Sequence, residues 1–504
     1  MRRRVIAGSV VAVLMTAGVA SAATSIVDAA RHRDRQAVTA LLRQHVDANA
    51  TTPDGTTALH WAVENDDAEM VRQLIRGGAS VKVANRYGIS PLSIAATRGN
   101  AAIAEVLLSA GADADSRTPE GETILMTASR AGNAEIVRAL VAYGANVNAK
   151  EQWQDQTALM WAAAENHPDV VKALVENGAD MNVRSKVLDG APPRGKAAPD
   201  VGQQGVHTTF PKGGLTALHY AARQNAAAAI VALAEEHVDL DQKDPDGFTP
   251  VILAILSGHY DLAALLVEKG AGVNTADLSG RTPLYAAVDI NTFEYSFNRP
   301  TPKASGKMEP IDLVKFLLAH GADPNARLTD RVRAAKYDTA GNPNLIAGAT
   351  AFMKAASTAD VVMMRVLLDA GADPTIRNAV HSNALMVAAG LNWRRLGGIG
   401  REPDAIEALK ICLDHGMDIG AFNDLGQTAL HAAMMRGRGQ VTGGDEDGPA
   451  TVPSINLIHF LVEHGAPLDV KDKAGRTPAD MAGVMRNLEA LEYLKTLPTT
   501  SASR

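Results

Sequence analysis

Apolar residues recur along the chain at helical spacing, in short segments. Ile136, Val137, Leu140 and Val141 stand at i, i+1, i+4 and i+5, which places them on one face of a helix. Alanine-rich segments, such as 162–164, precede these apolar stripes, and their small side chains allow neighbouring helices to pack closely. The pattern therefore predicts pairs of short helices joined by turns.

These helix pairs repeat with a common spacing. The segment TALHWAVENDDAEMVRQLIRGGASV at 57–81 is matched at 157–181 and again from position 216. Each pair opens at Ser, Thr or Asn, and most openings lie 33 or 34 residues apart. The opening positions are Thr57, Ser90, Thr123, Thr157, Thr216, Thr249, Thr282, Thr350, Asn383, Thr428 and Thr477. Longer gaps predict insertions.

Sequence signals also mark where both helices of a unit begin and end. The opening residue is predicted to cap the first helix, and proline often follows it, where its missing N–H has no partner to lose. Glycine is predicted to end the second helix, because it takes the left-handed conformation without steric cost. These glycines are Gly78, Gly111, Gly144, Gly178, Gly270, Gly321, Gly371, Gly416 and Gly465. His237 interrupts the series.

This organisation resembles the ankyrin repeat, whose signature is T-P-L-H-x-A at a period of 33 residues. Three units come nearest to it, with T-A-L-H at Thr57, Thr216 and Thr428, and the resemblance covers about residues 24–498. It implies stacked helix pairs with turns along one edge, and a role in binding other proteins. One pair cannot bury its own apolar face, so neighbouring units must stabilise each other.

We therefore expect an all-α ankyrin-repeat solenoid of about eleven helix pairs plus an N-terminal capping pair. The predicted divisions are a signal peptide at 1–22, the capping pair at 23–50, repeats at 51–185, an insertion at 186–213, repeats at 214–329, an insertion at 330–346, repeats with a C-terminal cap at 347–498, and a tail at 499–504. Further insertions at 290–310, 391–403 and 436–453 fall between the two helices of a unit.

Two surfaces are candidates for binding a partner. Turn and first-helix positions on the concave side are Arg86, Tyr87, Arg98, Arg130, Trp153, Gln156, Glu165, Arg223 and Phe248. The inserted loops contribute Phe293, Tyr295, Phe297, Arg299, Trp393, Arg394 and Arg395, of the residue types that anchor interfaces. Two alternatives remain open: the loops fold back over the repeats, and Trp153 packs on its neighbouring hairpin.

Composition and the N-terminus limit the class of protein. The net charge of −7 argues against a nucleic acid or an anionic membrane as partner, and one cysteine excludes internal disulfides. A secretory signal is predicted from a basic start at 2–4, an apolar stretch at 5–20 and Ala-Ser-Ala at 20–22. Export could follow either the general or the twin-arginine route. We expect a bacterial protein of the periplasm or extracellular space, without a membrane span once the signal is removed.

Candidate catalytic and metal-binding residues have structural explanations. Cys412 precedes His415, but leucine occupies the position of Cys412 in sister units, so we expect a core residue. His320, His415 and His464 precede the glycine stop, where histidine meets unpaired carbonyls. By resemblance, His60, His219 and His431 pair with the opening threonine. Thioether sulfurs could bind copper, but we expect the methionines to be core residues: Met126, Met160, Met353 and Met386. We expect the acidic run 445–447 to be a solvated loop.

No phosphate-binding, dinucleotide-binding, zinc-protease or serine-hydrolase motif is present in the sequence. We therefore expect a non-catalytic binding scaffold for a protein partner, without a cofactor or a metal. The alternatives are an enzyme or ligand-binding protein with a site built by the C-terminal insertions, and a self-associating structural protein. The partner's identity and the oligomeric state stay open.

Overall fold

A computed structural model describes residues 25–118, 120–187, 213–291, 303–329, 346–390, 402–435 and 455–498. The described residues form 24 α-helices and no β-strand, apart from isolated bridge residues such as the pair Thr51 and Thr57. The predicted all-α solenoid is confirmed, with eleven helix pairs after a first pair. The predicted signal peptide, the tail at 499–504 and most of the five insertions lie outside the described residues.

Contacts divide the chain into two units, each described by itself. The first comprises Met1–Pro119 and Ala139–Ala145, and the second comprises Glu120–Arg138 and Asn146–Arg504. The described helices of the first unit are α1 Ile26–Arg31, α2 Arg35–Arg43, α3 Ala58–Glu64, α4 Ala68–Arg76, α5 Pro91–Arg98 and α6 Ala101–Ser109. Helix α8, Ala134–Ala142, crosses the division.

The second unit contains the remaining helices. They are α7 Ile124–Arg130, α9 Ala158–Ala164, α10 Pro168–Glu176, α11 Ala217–Arg223, α12 Ala227–Glu235, α13 Pro250–Leu256, α14 Tyr260–Glu268, α15 Pro283–Asn291, α16 Pro310–Ala319, α17 Ala351–Ser357, α18 Val361–Asp369, α19 Ala384–Ala389, α20 Glu402–Asp414, α21 Ala429–Met435, α22 Ile455–Glu463, α23 Pro478–Val484 and α24 Leu488–Thr496. First helices pack beside first helices, as α9 does between α7 and α11, and α9 also packs against its own second helix, α10.

The predicted helix ends are confirmed by the backbone. Side chains of nine opening residues accept a hydrogen bond from the third N–H of the first helix: Ser90, Thr123, Thr157, Thr249, Thr282, Thr350, Asn383, Thr428 and Thr477. All nine glycine stops have a left-handed φ, between 79° and 104°. His237 takes the same conformation, with φ 60°, so the interrupted unit keeps the helix ending without glycine.

Asparagine side chains tie several helix endings to the unit before them. Asn148 Nδ2 donates to the carbonyl of Gly178 at 3.0 Å, and Asn148 Oδ1 accepts from the Asp180 N–H at 2.9 Å. In the first unit, Asn49 makes the same two bonds to Gly78 and Ser80. These bonds satisfy backbone groups that the left-handed glycine leaves outside the helix, so packing and hydrogen bonding both couple neighbouring repeats.

Candidate partner-binding surface

The exposed side of the first helices carries an arginine stacked on a tryptophan. In the second unit, the Arg130 guanidinium lies 4.6 Å from the centre of the Trp161 ring. Its Nη2 also lies 3.2 Å from Glu122 Oε1, and the Arg130 side chain stays 47 % exposed. Arg130 ends α7, and Trp161 lies on the adjacent α9. The packing of α7 on α9 therefore brings these groups together.

The next pair of helices adds a polar contact and a second stacked arginine. Gln156 Nε2 donates to the Tyr220 hydroxyl at 2.7 Å, which links the turn before α9 to α11. The Arg223 guanidinium lies 5.0 Å from the centre of the Tyr220 ring. Trp161 and Tyr220, which the sequence analysis did not single out, provide the rings. Both rings stand at the fourth position of the first helix of their unit, as Trp61 does, and this shared position could have indicated them.

Trp153 lies at the tip of a hairpin, and its side chain is 72 % exposed. The hairpin is held by Glu151, whose carboxylate accepts from the N–H groups of Trp153, Gln154 and Gln156 at 2.5, 2.8 and 2.9 Å. Asp155 takes a left-handed φ of 54° in the turn. The ring is therefore exposed rather than packed on a neighbouring hairpin, and its role as an anchor stays a prediction.

The first unit presents related groups. The Arg31 guanidinium lies 5.2 Å from the centre of the Trp61 ring, and Arg98 forms an ion pair with Glu64. Tyr87 is 63 % exposed at a hairpin tip, with the Arg86 guanidinium 5.7 Å from its ring centre.

The prediction that Phe248 faces a partner is wrong. Its side chain is buried, and the guanidinium of Arg281 lies 5.1 Å from its ring centre. Arg281 is itself buried and forms an ion pair with Asp277 at 2.9 Å. The residue before an opening threonine is therefore covered here by the next hairpin, which sequence position alone does not reveal.

The first helices α13, α15 and α17 are covered at the position that Arg130 occupies on α7. Leu256, Asp289 and Ser357, each seventh after its opening residue, are all buried. Lys354 on α17 is also buried and forms an ion pair with Asp289 at 2.8 Å. The candidate loop residues Phe293, Tyr295, Phe297, Arg299, Trp393, Arg394 and Arg395 lie outside the described residues, as does the acidic run 445–447.

The histidines of the T-A-L-H segments have the predicted structural role. The hydroxyl of Thr216 lies 2.8 Å from His219 Nδ1, and His219 Nε2 lies 3.2 Å from the Phe248 carbonyl. A carbonyl only accepts, so Nε2 carries the proton and Nδ1 accepts. Burial lowers the pKa of His219 to about 4 and also lowers the pKa values of His60 and His431. The imidazoles therefore act as neutral braces.

The cysteine and the histidines before the glycine stops also belong to the scaffold. Cys412 is fully buried, and burial raises the pKa of its thiol to about 12, so it is not a nucleophile. His415 Nδ1 lies 2.7 Å from the Ile411 carbonyl, and His320 and His464 make the equivalent contacts. The four candidate methionines are core residues, each at most 1 % exposed.

One carboxyl group with a raised pKa has a structural explanation. Burial raises the pKa of Asp244 to about 6, but its carboxylate accepts from the N–H groups of Asp246 and Phe248 within its own hairpin. Over the described ranges, no group of three or more His, Cys, Asp or Glu side chains could hold a metal ion. No helix within those ranges is long and apolar enough to cross a membrane.

Comparison with known proteins identifies the repeat. Models of ankyrin repeats match residues 26–118, 103–185, 200–277 and 218–295, and related ankyrin models match 159–234, 279–328, 347–379 and 402–442. The B-cell lymphoma 3 protein homolog of Mus musculus is 27 % identical over 180 residues, 35 % of this chain and 32 % of that protein.

Two further relatives match longer and shorter segments of the chain. The E3 ubiquitin-protein ligase KEG of Arabidopsis thaliana is 24 % identical over 348 residues, 56 % of this chain and 19 % of that protein. The NF-kappa-B inhibitor cactus of Drosophila yakuba is 36 % identical over 83 residues, 15 % of this chain and 17 % of that protein. The matches thus span a third or less of each relative. The models of ankyrin repeats match more than half of the chain, so it belongs to the ankyrin-repeat family.

Proposed function

We propose that the chain is a non-catalytic scaffold that binds a protein partner on the exposed side of α7, α9 and α11. The supporting observation is the row of Arg130, Trp161, Tyr220 and Arg223, which combines stacked rings with exposed guanidinium groups. Such residues carry most of the binding energy at protein interfaces. One relative is named as an inhibitor of NF-kappa-B, in keeping with action through a protein partner.

The surface is held rigidly, which favours binding. Each ring belongs to a helix that packs against neighbours on both sides, and Gln156 fixes the Tyr220 hydroxyl. Side chains ordered before binding lose less conformational entropy when the partner arrives. Trp153 extends the surface to the hairpin edge, where its exposed ring is free to enter a pocket of the partner.

Affinity capture with matched variants tests the proposal. The full chain serves as bait in an extract of the cells that make it, and retained proteins are quantified by mass spectrometry. We expect Arg130→Ala and Trp153→Ala to reduce retention of a specific partner about 10-fold or more. The control is Lys172→Ala on α10, a half-exposed side chain paired with Glu235 on the second helices.

The control should retain the partner fully, and circular dichroism of all variants should stay unchanged. A partner retained equally by every variant would refute the proposed surface. Retention lost only with Lys172→Ala would move the interface to the second helices.

We also propose that the chain is exported after removal of residues 1–22. This proposal is supported by the N-terminal sequence, in which a basic start is followed by an apolar stretch and then by Ala-Ser-Ala. Mass spectrometry of the protein from its native cell should find Ala23 as the first residue. An intact N-terminus on the accumulated protein would argue against export.

A further inference from the structure

Charged residues of alternating sign end successive first helices. In the second unit, Arg130 ends α7, Glu165 follows α9 directly, and Arg223 ends α11. All three are exposed. We call these three residues the charge row. Because α9 packs between α7 and α11, the acidic residue stands at the C-cap of the middle helix and the basic ones end the two outer helices.

The first unit has the same order of charges, but two of its three charged residues pair with each other. Arg31, Glu64 and Arg98 end α1, α3 and α5, and Arg98 forms an ion pair with Glu64. In the second unit, neither Glu165 nor Arg223 forms an ion pair with any residue that the structure describes. Glu165 and Arg223 of the second unit are therefore available to a partner, and Arg130 becomes available when it exchanges Glu122.

The two arginines of the charge row are held in defined orientations. Arg130 stacks on Trp161, and Arg223 stacks on Tyr220, so ring contact occupies one face of each guanidinium. The N–H groups lie at the edge of the guanidinium plane, where they can bind a carboxylate through two parallel bonds. Glu122 competes for Arg130, but an exposed ion pair of this kind contributes little and can be exchanged.

The spacing of the helices fixes the spacing of complementary charges. Packed helices lie about 8–10 Å apart, and an extended peptide in the polyproline II conformation advances about 3.1 Å per residue with three residues per turn. Three residues of such a peptide therefore span one repeat and return the side chain to the same face. We propose, building on the proposed function, that the charge row binds an extended protein segment with an acidic, a basic and an acidic residue at every third position.

Charge complementarity also gives this surface its selectivity. A segment with the reversed signs would place each charge opposite a like charge of the row, which costs free energy and lowers the association rate. A uniformly acidic segment would meet Glu165 at its centre and would be repelled further by the net charge of −7. The basic residue in the middle is thus the distinguishing feature of the partner.

Immobilised heptapeptides provide the test. Glutamate or lysine occupies positions 1, 4 and 7, with threonine between them to disfavour helix formation. Labelled full-length protein is applied to all eight sign patterns. Because the exposed pairs are individually weak but all three reverse together, we expect the acidic–basic–acidic peptide to retain roughly 10-fold more protein than its sign-reversed counterpart. Added salt should reduce the difference.

Variants of the protein then test the assignment of each charge. Glu165→Lys should transfer the preference to the peptide with three glutamates. Glu122→Gln should increase retention, because it releases Arg130. Lys172→Glu, on the second helices, should leave the preference unchanged.

Equal retention of all patterns, no retention above background, or a preference that Glu165→Lys leaves unchanged would overturn the inference. Such a result would leave the proposed scaffold function standing if capture of a partner still depends on Arg130 and Trp153.

Discussion

The buried histidine of α11 predicts a specific dependence of stability on pH. His219 is fully buried and neutral, with Nδ1 accepting from Thr216 and Nε2 donating to the Phe248 carbonyl. The perturbation is His219→Met, because methionine occupies this position in sister units and does not titrate near neutral pH. Comparing wild type with this variant isolates the contribution of one imidazole.

The magnitude follows from the pKa values of the two states. The pKa of His219 is about 4 in the folded chain, against 6.5 for an ordinary histidine. Because the folded pKa is the lower one, protonation favours unfolding. The contribution is fully present above pH 6.5 and is lost as the pH falls towards 4. The difference in pKa corresponds to about 3 kcal/mol, of which about 2 kcal/mol is already lost at pH 5.

At neutral pH the variant should be less stable than wild type. It removes one of two donors to the buried Phe248 carbonyl, which keeps the Asp244 N–H at 3.0 Å, so the lost hydrogen bond costs about 0.5–1.5 kcal/mol. Towards acid pH, wild type should lose this advantage and the two unfolding curves should converge. Urea unfolding at pH 7 and pH 5, with hydrogen exchange of α11 as a local measure, gives the comparison.

Nuclear magnetic resonance of the imidazole provides the direct check. The His219 ring signals should remain those of the neutral form down to about pH 5. Titration of His219 near pH 6.5, or the same loss of stability with acid in His219→Met as in wild type, would refute the reasoning. His60 and His431 remain in both proteins, so their titration cancels in the comparison.

Two further predictions concern single residues of the scaffold. Cys412, with burial raising the pKa of its thiol to about 12, should resist thiol reagents in the native chain and react only in denaturant; rapid native labelling would contradict its burial. Gly111→Ala should destabilise the chain by about 1–2 kcal/mol through backbone strain alone, because φ is 90° and an added Cβ meets nothing within 4 Å; an unchanged thermal midpoint would show that the position tolerates a side chain.

Much of the fold could be predicted from local signals. The opening Ser, Thr and Asn residues cap first helices, and the glycines end second helices, because both roles depend on the backbone within a few residues. The roles of Cys412 and His219 could also be predicted, since comparison of sister units within one chain identifies core and bracing positions. His237 takes the glycine conformation without being glycine, a substitution that the pattern marked only as an interruption.

The candidate surface could be predicted only in part. The turn at Trp153 left both exposure and packing on the neighbouring hairpin open, and burial of Phe248 depends on Arg281 in the following hairpin. The stacking of Arg130 on Trp161 joins residues of two units, and Glu122 and Gln156 complete contacts that no spacing rule contains. Contacts between repeats depend on side-chain packing, whereas the repeat period fixes only which backbones are neighbours.

The sequence by itself determined the period, the helix pairs, their ends and the residues of each core stripe, because these depend on local conformation and on burial of a periodic apolar face. Tertiary structure alone decided which side of the first helices stays open. Early first helices expose Arg130 and Glu165, whereas later ones bury Asp289 and Lys354 as an ion pair. The physical reason is that solvent exposure of a charged side chain depends on every group packed around it.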